Sequence, residues 1–302
     1  CDWSSDVCSS DLPTRMKGRV QFVPIRDYYD LPQWVAEVQR WVEALVPPMG
    51  VSMGLISHEK DASSAYLRHF PKWKAIELPR QGAVDATPLR ELLWNLDEQP
   101  AEQVQAALAA ALPEPVLQAL TTWRETPAYA AVREEAQALA AYRAAWAGAP
   151  FAPVFVTVDT LVVCAKHVLL VQRGHSPGKG LLALPGGFLE QSDTLQASAQ
   201  RELQEETGLA LSAEDWQAAL QGVRVFDHPE RSLRGRTITH VYVLHLPGDT
   251  LPEVNGGDDA AAADWVPLQE LWQLEPQFFE DHFHILRTCF AQFGGGPLPA
   301  LP

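Results

Sequence analysis

The chain holds no run approaching the ~20 consecutive apolar residues of a membrane-spanning helix. The apolar stretch VFVTVDTLVVC (154–164) carries Asp159 at its centre. Cysteine is scarce: Cys1, Cys8, Cys164 and Cys289, with no CxxC spacing. That excludes a disulfide framework and fits a reducing cytoplasm, with Cys164 and Cys289 as small buried hydrophobes. Positive charge is in deficit, 23 Lys and Arg against 38 Asp and Glu, for a net charge of −15. The deficit argues against nucleic acid and anionic membrane as partners. It does not argue against a small polyanion, because a bound divalent cation reverses the local sign. The start lacks the basic, apolar and small-residue order of a signal peptide. No internal repeat is visible.

What is present suits a soluble globular protein. The composition is 47% hydrophobic and 20% charged. At ~100–200 residues per domain, 302 residues suggest two domains. Residues 1–12, CDWSSDVCSSDL, show neither amphipathic period nor targeting logic. They resemble translated sequencing-adapter text and are set aside on that expectation, with the true N-terminus lost.

From residue 13 to 100 strands and helices alternate. VQFVPI (20–25), VSMGLIS (51–57) and 75–78 read as buried strands; 33–45, 62–70 and 85–92 read as helices. This pattern favours a parallel α/β layer. Residues 101–150 contain eighteen alanines and read as a helical segment or linker. A second domain is expected over 151–292, with 293–302 a flexible tail. It opens with paired strands in 154–164 and 168–173. A helix follows over 195–207, then a strand over 236–246, a short strand DWVPL and a last helix over 278–290.

The segment LPGGFLEQSDTLQASAQRELQEETGL (184–209) carries the chemistry. Glu202 and Glu206 are four apart, on one helix face, and Glu205 is adjacent. Like charges so placed destabilise a bare helix, and a hard cation between them reverses the sign. Mg²⁺ suits such a site because a few carboxylates plus substrate phosphates satisfy it; Mn²⁺ is a second candidate. Pro185-Gly186-Gly187 lets backbone approach the ion or the substrate closely. Asp193, with Gln196 three residues on, reads as a capping box, and Arg201 as a residue that orients a carboxylate. The bland alternative is a solvated acidic helix face.

The string resembles the Nudix box. Gly187, Arg201, Glu202, Leu203, Glu205, Glu206, Gly208 and Leu209 match at the family's spacings. Asp193 stands where the family has Glu, a shorter reach. The resemblance implies Glu202 and Glu206 as main metal ligands, Glu205 as a further ligand or water activator, and a backbone carbonyl near Gly186 as another ligand. It implies hydrolysis of a nucleoside diphosphate linked to another group. HSPGKGLLALPGGFLEQ and VFDHPERSLRGRTITHVYV further resemble the Nudix half of bifunctional nicotinamide-mononucleotide adenylyltransferase/ADP-ribose pyrophosphatases. Arg231, Arg234 and Arg236 are then phosphate-contact candidates, with Arg173 and Gly187, since guanidinium forks suit phosphate oxygens. FFEDHFHIL offers Glu280, Asp281 and His282 as general-base candidates; helix capping or core packing competes with that role.

GLISHEKDASSAYLRHFPKW and VDATPLRELLW resemble the later part of that family's adenylyltransferase domain. Thr87 and Arg90 then match its phosphate-contacting segment, and Trp34 a ring-facing aromatic, or simply a core residue. The family's early His-x-Gly-His loop occurs nowhere in the sequence. The expected fold is therefore α/β: a truncated Rossmann-like nucleotidyltransferase half and a helical segment, then an α/β/α Nudix domain with a mixed sheet. The expected activity is Mg²⁺-dependent cytoplasmic hydrolysis of ADP-ribose, with a small-molecule partner, self-association left open and adenylyl transfer absent. A Nudix hydrolase of another dinucleotide or sugar nucleotide, or an ADP-ribose-sensing regulator, are the alternatives.

Overall fold

The computed structural model describes residues 101–293 throughout, and before them 31–46, 51–57, 68–79, 86–94 and positions 21, 23, 25, 29 and 66. The expectations for residues 1–12, for most of 62–70 and for the C-terminal tail lie outside the described residues. In VQFVPI only Gln21, Val23 and Ile25 are described, and none is in a strand. Contacts divide the chain into two compact units, with the division between Arg133 and Glu134.

In the first unit, α1 (Leu31–Leu45) follows the predicted apolar stripe and buries Val35. Strands β1 (Gly54–Ser57) and β2 (Lys74–Glu77) pair in parallel, Gly54 opposite Lys74. Parallel pairing is what an alternating strand–helix sequence calls for. Then come α2 (Ala86–Trp94), α3 (Ala101–Ala111), α4 (Glu114–Arg124) and α5 (Pro127–Ala145). Leu93, Val104, Leu108 and Leu117 form the small core of these helices. The Tyr129 hydroxyl donates to the Leu93 carbonyl at 2.6 Å.

The second unit is built on a seven-stranded mixed sheet. Its strands are β3 (Phe155–Cys164), β4 (His167–Arg173), β5 (Leu182–Ala183), β6 (Gly186–Phe188), β7 (Leu220–Phe226), β8 (Thr237–His245) and β9 (Ala260–Pro267). β3 is central. It pairs in parallel with β8 over its whole length; on its other side it takes β6 at Thr157–Asp159 and β4 at Val163–Cys164. Strand β7 and the helix before it, α7 (Ala213–Ala219), were not expected from the sequence. The alternation in β7 is of exposed and half-buried residues, which apolar counting does not register. DWVPL is only the end of the eight-residue β9, whose first half is alanine.

Period-two alternation puts two cores on the two faces. Val158, Val162, Leu169, Val171, Tyr242 and Leu244 meet Ala199 and Leu203 of α6 (Leu195–Thr207) and Trp216 of α7. Leu161, Val168, Leu170, Val241 and Val243 meet Phe283, Ile285, Leu286 and Phe290 of α9 (His282–Phe293), which follows a short turn of helix, α8 (Leu271–Leu274). The last helix thus starts four residues later than predicted, because Phe278–Asp281 form the turn into it.

α6 is capped by Thr194, whose hydroxyl accepts from the Ala197 amide at 3.2 Å, and ends at Gly208 with φ 71°. The expected cap, Asp193, is instead drawn to Arg201 at 3.3 Å; the carboxylate gains more from a guanidinium than from a helix amide. The buried face of α6 is Ser198, Ala199, Glu202, Leu203, Glu206 and Thr207. Two of the carboxylates therefore lie on the inward stripe, and the solvated-face reading fails for them.

His282 ties α9 to the sheet: its Nδ1 accepts from the Leu184 amide at 3.1 Å. Burial pushes the imidazole down to about 3, against the favourable field of Asp281. Between about 6.5 and about 3 the unfolded chain takes up a proton at this site that the folded chain refuses. His282 therefore lends stability that is present above about pH 6.5 and is lost as pH falls, by up to ~1.4 kcal/mol per pH unit. In His282→Gln, which keeps an acceptor for Leu184, denaturant unfolding of the second unit should show a shallower loss between pH 6.5 and 4 than the parent. Identical slopes would refute the assignment.

Candidate functional site

The site forms where β6 is pressed between β3 and α6. A methyl at Gly187 would stand 2.5 Å from the Glu202 carboxylate, and one at Gly186 would strike the Val158 carbonyl. At Gly186, where the obstacle is backbone, only glycine permits this approach; at Gly187 the Glu202 carboxylate would have to give way. The approach places the Gly186 amide where it donates to Glu206 Oε2 at 2.8 Å. This amide is the Gly186 backbone group seen bonded to the carboxylates, while the neighbouring Pro185 carbonyl accepts from the Thr160 amide at 2.8 Å.

Arg201 organises the outer carboxylates. Its guanidinium donates to Glu205 at 2.7 Å, Glu202 at 2.9 Å and Asp193 at 3.3 Å, and stands 3.7 Å from Glu190. Burial works against the Arg201 charge, but these carboxylates outweigh it and hold the group above its usual range. Glu206 lies deeper. Burial pushes its carboxyl up to about 8; the Gly186 amide and Arg173 oppose the rise, while Glu202 and Asp159 add to it. Burial also raises Glu202, with Arg201 pulling back.

A cleft opens beside Gly186, Gly187 and Glu206, and Arg173, Arg231, Arg234 and Glu280 line it. The guanidinium of Arg173 lies 4.2 Å from the Phe279 ring, and its Nε donates to the Pro177 carbonyl at 2.9 Å. Arg234 lies 5.0 Å from the Phe188 ring. The three arginines of 231–236 have three different settings. Arg231 is buried in a two-pronged pair with Asp281, at 2.8 and 2.9 Å. Arg234 faces the cleft, 3.7 Å from Glu280. Arg236 turns away and donates to the Asp227 carbonyl. Residues 231–236 form the turn into β8, where no strand alternation fixes a common direction for the three side chains.

Glu280 has φ 41°, a strained turn for a residue with a side chain. Its carboxylate accepts from the Ser232 hydroxyl at 2.8 Å and the Leu233 amide at 3.0 Å. It holds the loop that carries Arg234. Asp159, which the sequence marked only as a charge inside an apolar run, is buried at the cleft floor and accepts from the Thr239 hydroxyl. Burial raises its carboxyl, and Arg231 leads the opposing contributions. The signal for it was that same misplaced charge.

The first-unit candidates are Trp34, Thr87 and Arg90. Trp34 packs edge-on to Tyr66 and Phe70, with ring centroids 5.4 and 6.0 Å away. Thr87 and Arg90 are exposed on α2.

Among the described residues no three His, Cys, Asp or Glu side chains form a ready-made metal cluster. The donors at Gly186–Gly187 are all oxygens, two of them the inward carboxylates of α6. That set fits a hard divalent cation, which needs only one or two carboxylates when phosphate oxygens and water complete its shell. Among the described residues no helix is long and apolar enough to cross a membrane.

Residues 154–289 match the NUDIX domain family model. An ADP-ribose pyrophosphatase of Methanocaldococcus jannaschii is 36% identical over 132 residues, covering 44% of this chain and 70% of that protein. A crystal structure of a bifunctional NMN adenylyltransferase/ADP ribose pyrophosphatase from Francisella tularensis is 34% identical, with a TM-score of 0.79, over 96% of this chain and 83% of that one. A second Francisella tularensis structure, complexed with AMP and a manganese ion, gives 33% and 0.80 over 95% and 84%. The front unit is thus Rossmann-like and the back unit a Nudix fold, and the chain belongs to the family of bifunctional NMN adenylyltransferase/ADP-ribose pyrophosphatases.

Proposed function

We propose that the chain hydrolyses the diphosphate of ADP-ribose to AMP and ribose 5-phosphate, with Mg²⁺ as cation and Mn²⁺ able to replace it. The observation that carries this reading is the convergence of Glu206 with Arg173 and Arg234 around one glycine-lined cleft. A diphosphate needs guanidinium forks on one side and a carboxylate-held cation on the other. The Methanocaldococcus and Francisella relatives carry this activity in their names.

Glu202 and Glu206 are the residues to hold the cation, beside Gly186. Bound there, it would neutralise phosphate charge and lower the pKa of the attacking water. Water adds to one phosphorus, the bond from that phosphorus to the bridging oxygen breaks, and the bridging oxygen leaves with the other phosphate. Glu205, partly exposed and fixed by Arg201, accepts the proton that the water loses. Arg234 and Arg173 hold the phosphate oxygens. Gly187 keeps the wall flat enough for the diphosphate to approach. Arg231 and Glu280 act by position: one is locked to Asp281, the other to Ser232 and Leu233.

Glu206→Gln keeps the shape and removes a charged ligand. Hydrolysis of ADP-ribose by the full chain should fall at least ~100-fold, the scale of losing one preorganised electrostatic contact. Full activity at limiting Mg²⁺ would sink the assignment.

Arg234→Lys keeps charge but loses the fork, so the KM for ADP-ribose should rise about tenfold, as for one lost charge-assisted hydrogen bond. Arg236→Lys should leave KM where it was. The reverse ranking would mean that the cleft has been assigned to the wrong arginine.

We further propose that these 302 residues do not make NAD from NMN and ATP, since no His-x-Gly-His is present to steady a triphosphate. Trp34, Thr87 and Arg90 are then nucleotide contacts without the loop they would serve. Incubation of the full chain with both substrates and detection of NAD by an enzyme-coupled assay should show none; measurable NAD would refute the proposal.

A further inference from the structure

The Ala-rich helix α5 reads in the sequence as linker, yet residues 134–145 belong to the hydrolase unit. We propose that Tyr142, together with Phe188, forms the face on which the nucleobase of the substrate stacks, so that the end of this helix is a working wall of the hydrolase site. The inference rests on the ADP-ribose reading above.

Position comes first. Phe188 follows directly on Gly187 and carries the Arg234 guanidinium 5.0 Å from its ring. On Phe188 lies Tyr142, nearly parallel at 17°, with centroids 6.2 Å apart. Phe155 stands edge-on to both, 5.6 Å from Tyr142 and 5.8 Å from Phe188. The aromatic face thus begins at the phosphate-binding guanidinium and continues through Phe188 to Tyr142. A nucleoside 5′-phosphate has the same order: phosphate, ribose, then a flat ring. Burial raises the Tyr142 phenol, and Arg234 works against that rise, which puts both groups in one field.

The two cores of the sheet do not account for these rings. Tyr142, Phe155 and Phe188 are all half-buried, and none belongs to either core of the sheet. A face of large aromatics left partly open beside a guanidinium fits a heteroaromatic ligand, since every base offers a π-face. The ribose 5-phosphate end of the substrate has no aromatic ring to use it.

The helix is also held in register from both sides of the cleft. Both Glu135 oxygens accept from the Gly178 amide, at 2.8 and 2.9 Å. Gly178 sits against Phe279, and its neighbour Pro177 holds Arg173. On the other side, Arg143 Nε donates to the Leu233 carbonyl at 3.1 Å, next to Arg234. The helix is therefore bonded to the loop that holds Arg173 and to the loop that carries Arg234.

The test uses the full chain. Steady-state kinetics are measured for ADP-ribose and for its uridine counterpart, UDP-ribose, with the parent, Tyr142→Phe and Tyr142→Ala. Loss of the ring should raise KM for ADP-ribose about tenfold, the scale of one lost base–aromatic stack, with kcat within about twofold. The rise should be smaller for the pyrimidine substrate, and Tyr142→Phe should match the parent. Should Tyr142→Ala lower the melting temperature out of range, Tyr142→Leu, apolar without a ring face, is read in its place. An unchanged KM in the ringless variant overturns the proposal. Equal rises for both bases overturn it too, and assign the face to the ribose end. A parent that turns over neither substrate refutes the hydrolase reading and the inference with it, whereas an active parent with silent variants refutes the inference alone.

Discussion

The second unit depends on how closely β6 approaches α6. The Glu202 carboxylate occupies the space a side chain at Gly187 would need, and Glu206 is bonded to the Gly186 amide. From this one contact several things follow. β6, three residues long and paired throughout with β3, takes the helix against its glycines. The helix must turn glutamates inward, at positions that its stripe would otherwise fill with leucine. Burying a carboxylate is costly unless charge or hydrogen bonds compensate. Two glycines supply the amide and the room, and a bound cation would supply the charge.

The rest of the site reads as compensation for that burial. Carboxylates and guanidinium groups alternate in space. Arg201 collects Asp193, Glu202 and Glu205 outside, while Arg173 lines the same cleft as Glu206 and its charge opposes the rise of that carboxyl. Arg231 is matched to Asp281 and takes no further part, so the cationic side of the cleft falls to Arg173 and Arg234. Both lie over aromatic rings, which hold a guanidinium without neutralising it. They stay directed, as binding a polyanion requires.

The pairing of Glu202 with Glu206 was legible because a helix fixes which residues share a face, and no tertiary fact is needed to use it. The central strands were legible for a similar reason: β3, β4 and β8 alternate against two cores. What failed was of another kind. The capping role given to Asp193 was lost to Arg201, eight residues away, a competition that local pattern does not contain. The arginine cluster was a cluster in sequence only, since strand approach and turn send Arg231, Arg234 and Arg236 to different surroundings. Asp159 and Phe279 reach the site through sheet pairing and a turn; the only local signals were the charge of Asp159 inside an apolar run and the acidic residues that follow Phe279. β7 was missed because its outward face carries as much apolar character as its inward one.

Residues 134–145 show the same limit at the scale of a domain. Alanine is the residue of a helix whose contacts are few and close, and composition alone cannot say which few. In α5 the exceptions to alanine matter. Tyr129 bonds within the first unit; Glu135, Tyr142 and Arg143 bond within the second. A passive linker would make its polar contacts with water and tolerate a shift along its own axis. This helix cannot shift by one residue without withdrawing Glu135 from the Gly178 amide and Arg143 from the Leu233 carbonyl together. Those two bonds lie eight residues, just over two turns, apart and hold the loops behind Arg173 and Arg234. The register of α5 and the geometry of the cleft are therefore one constraint, and the boundary of the hydrolase unit lies inside the helix rather than after it.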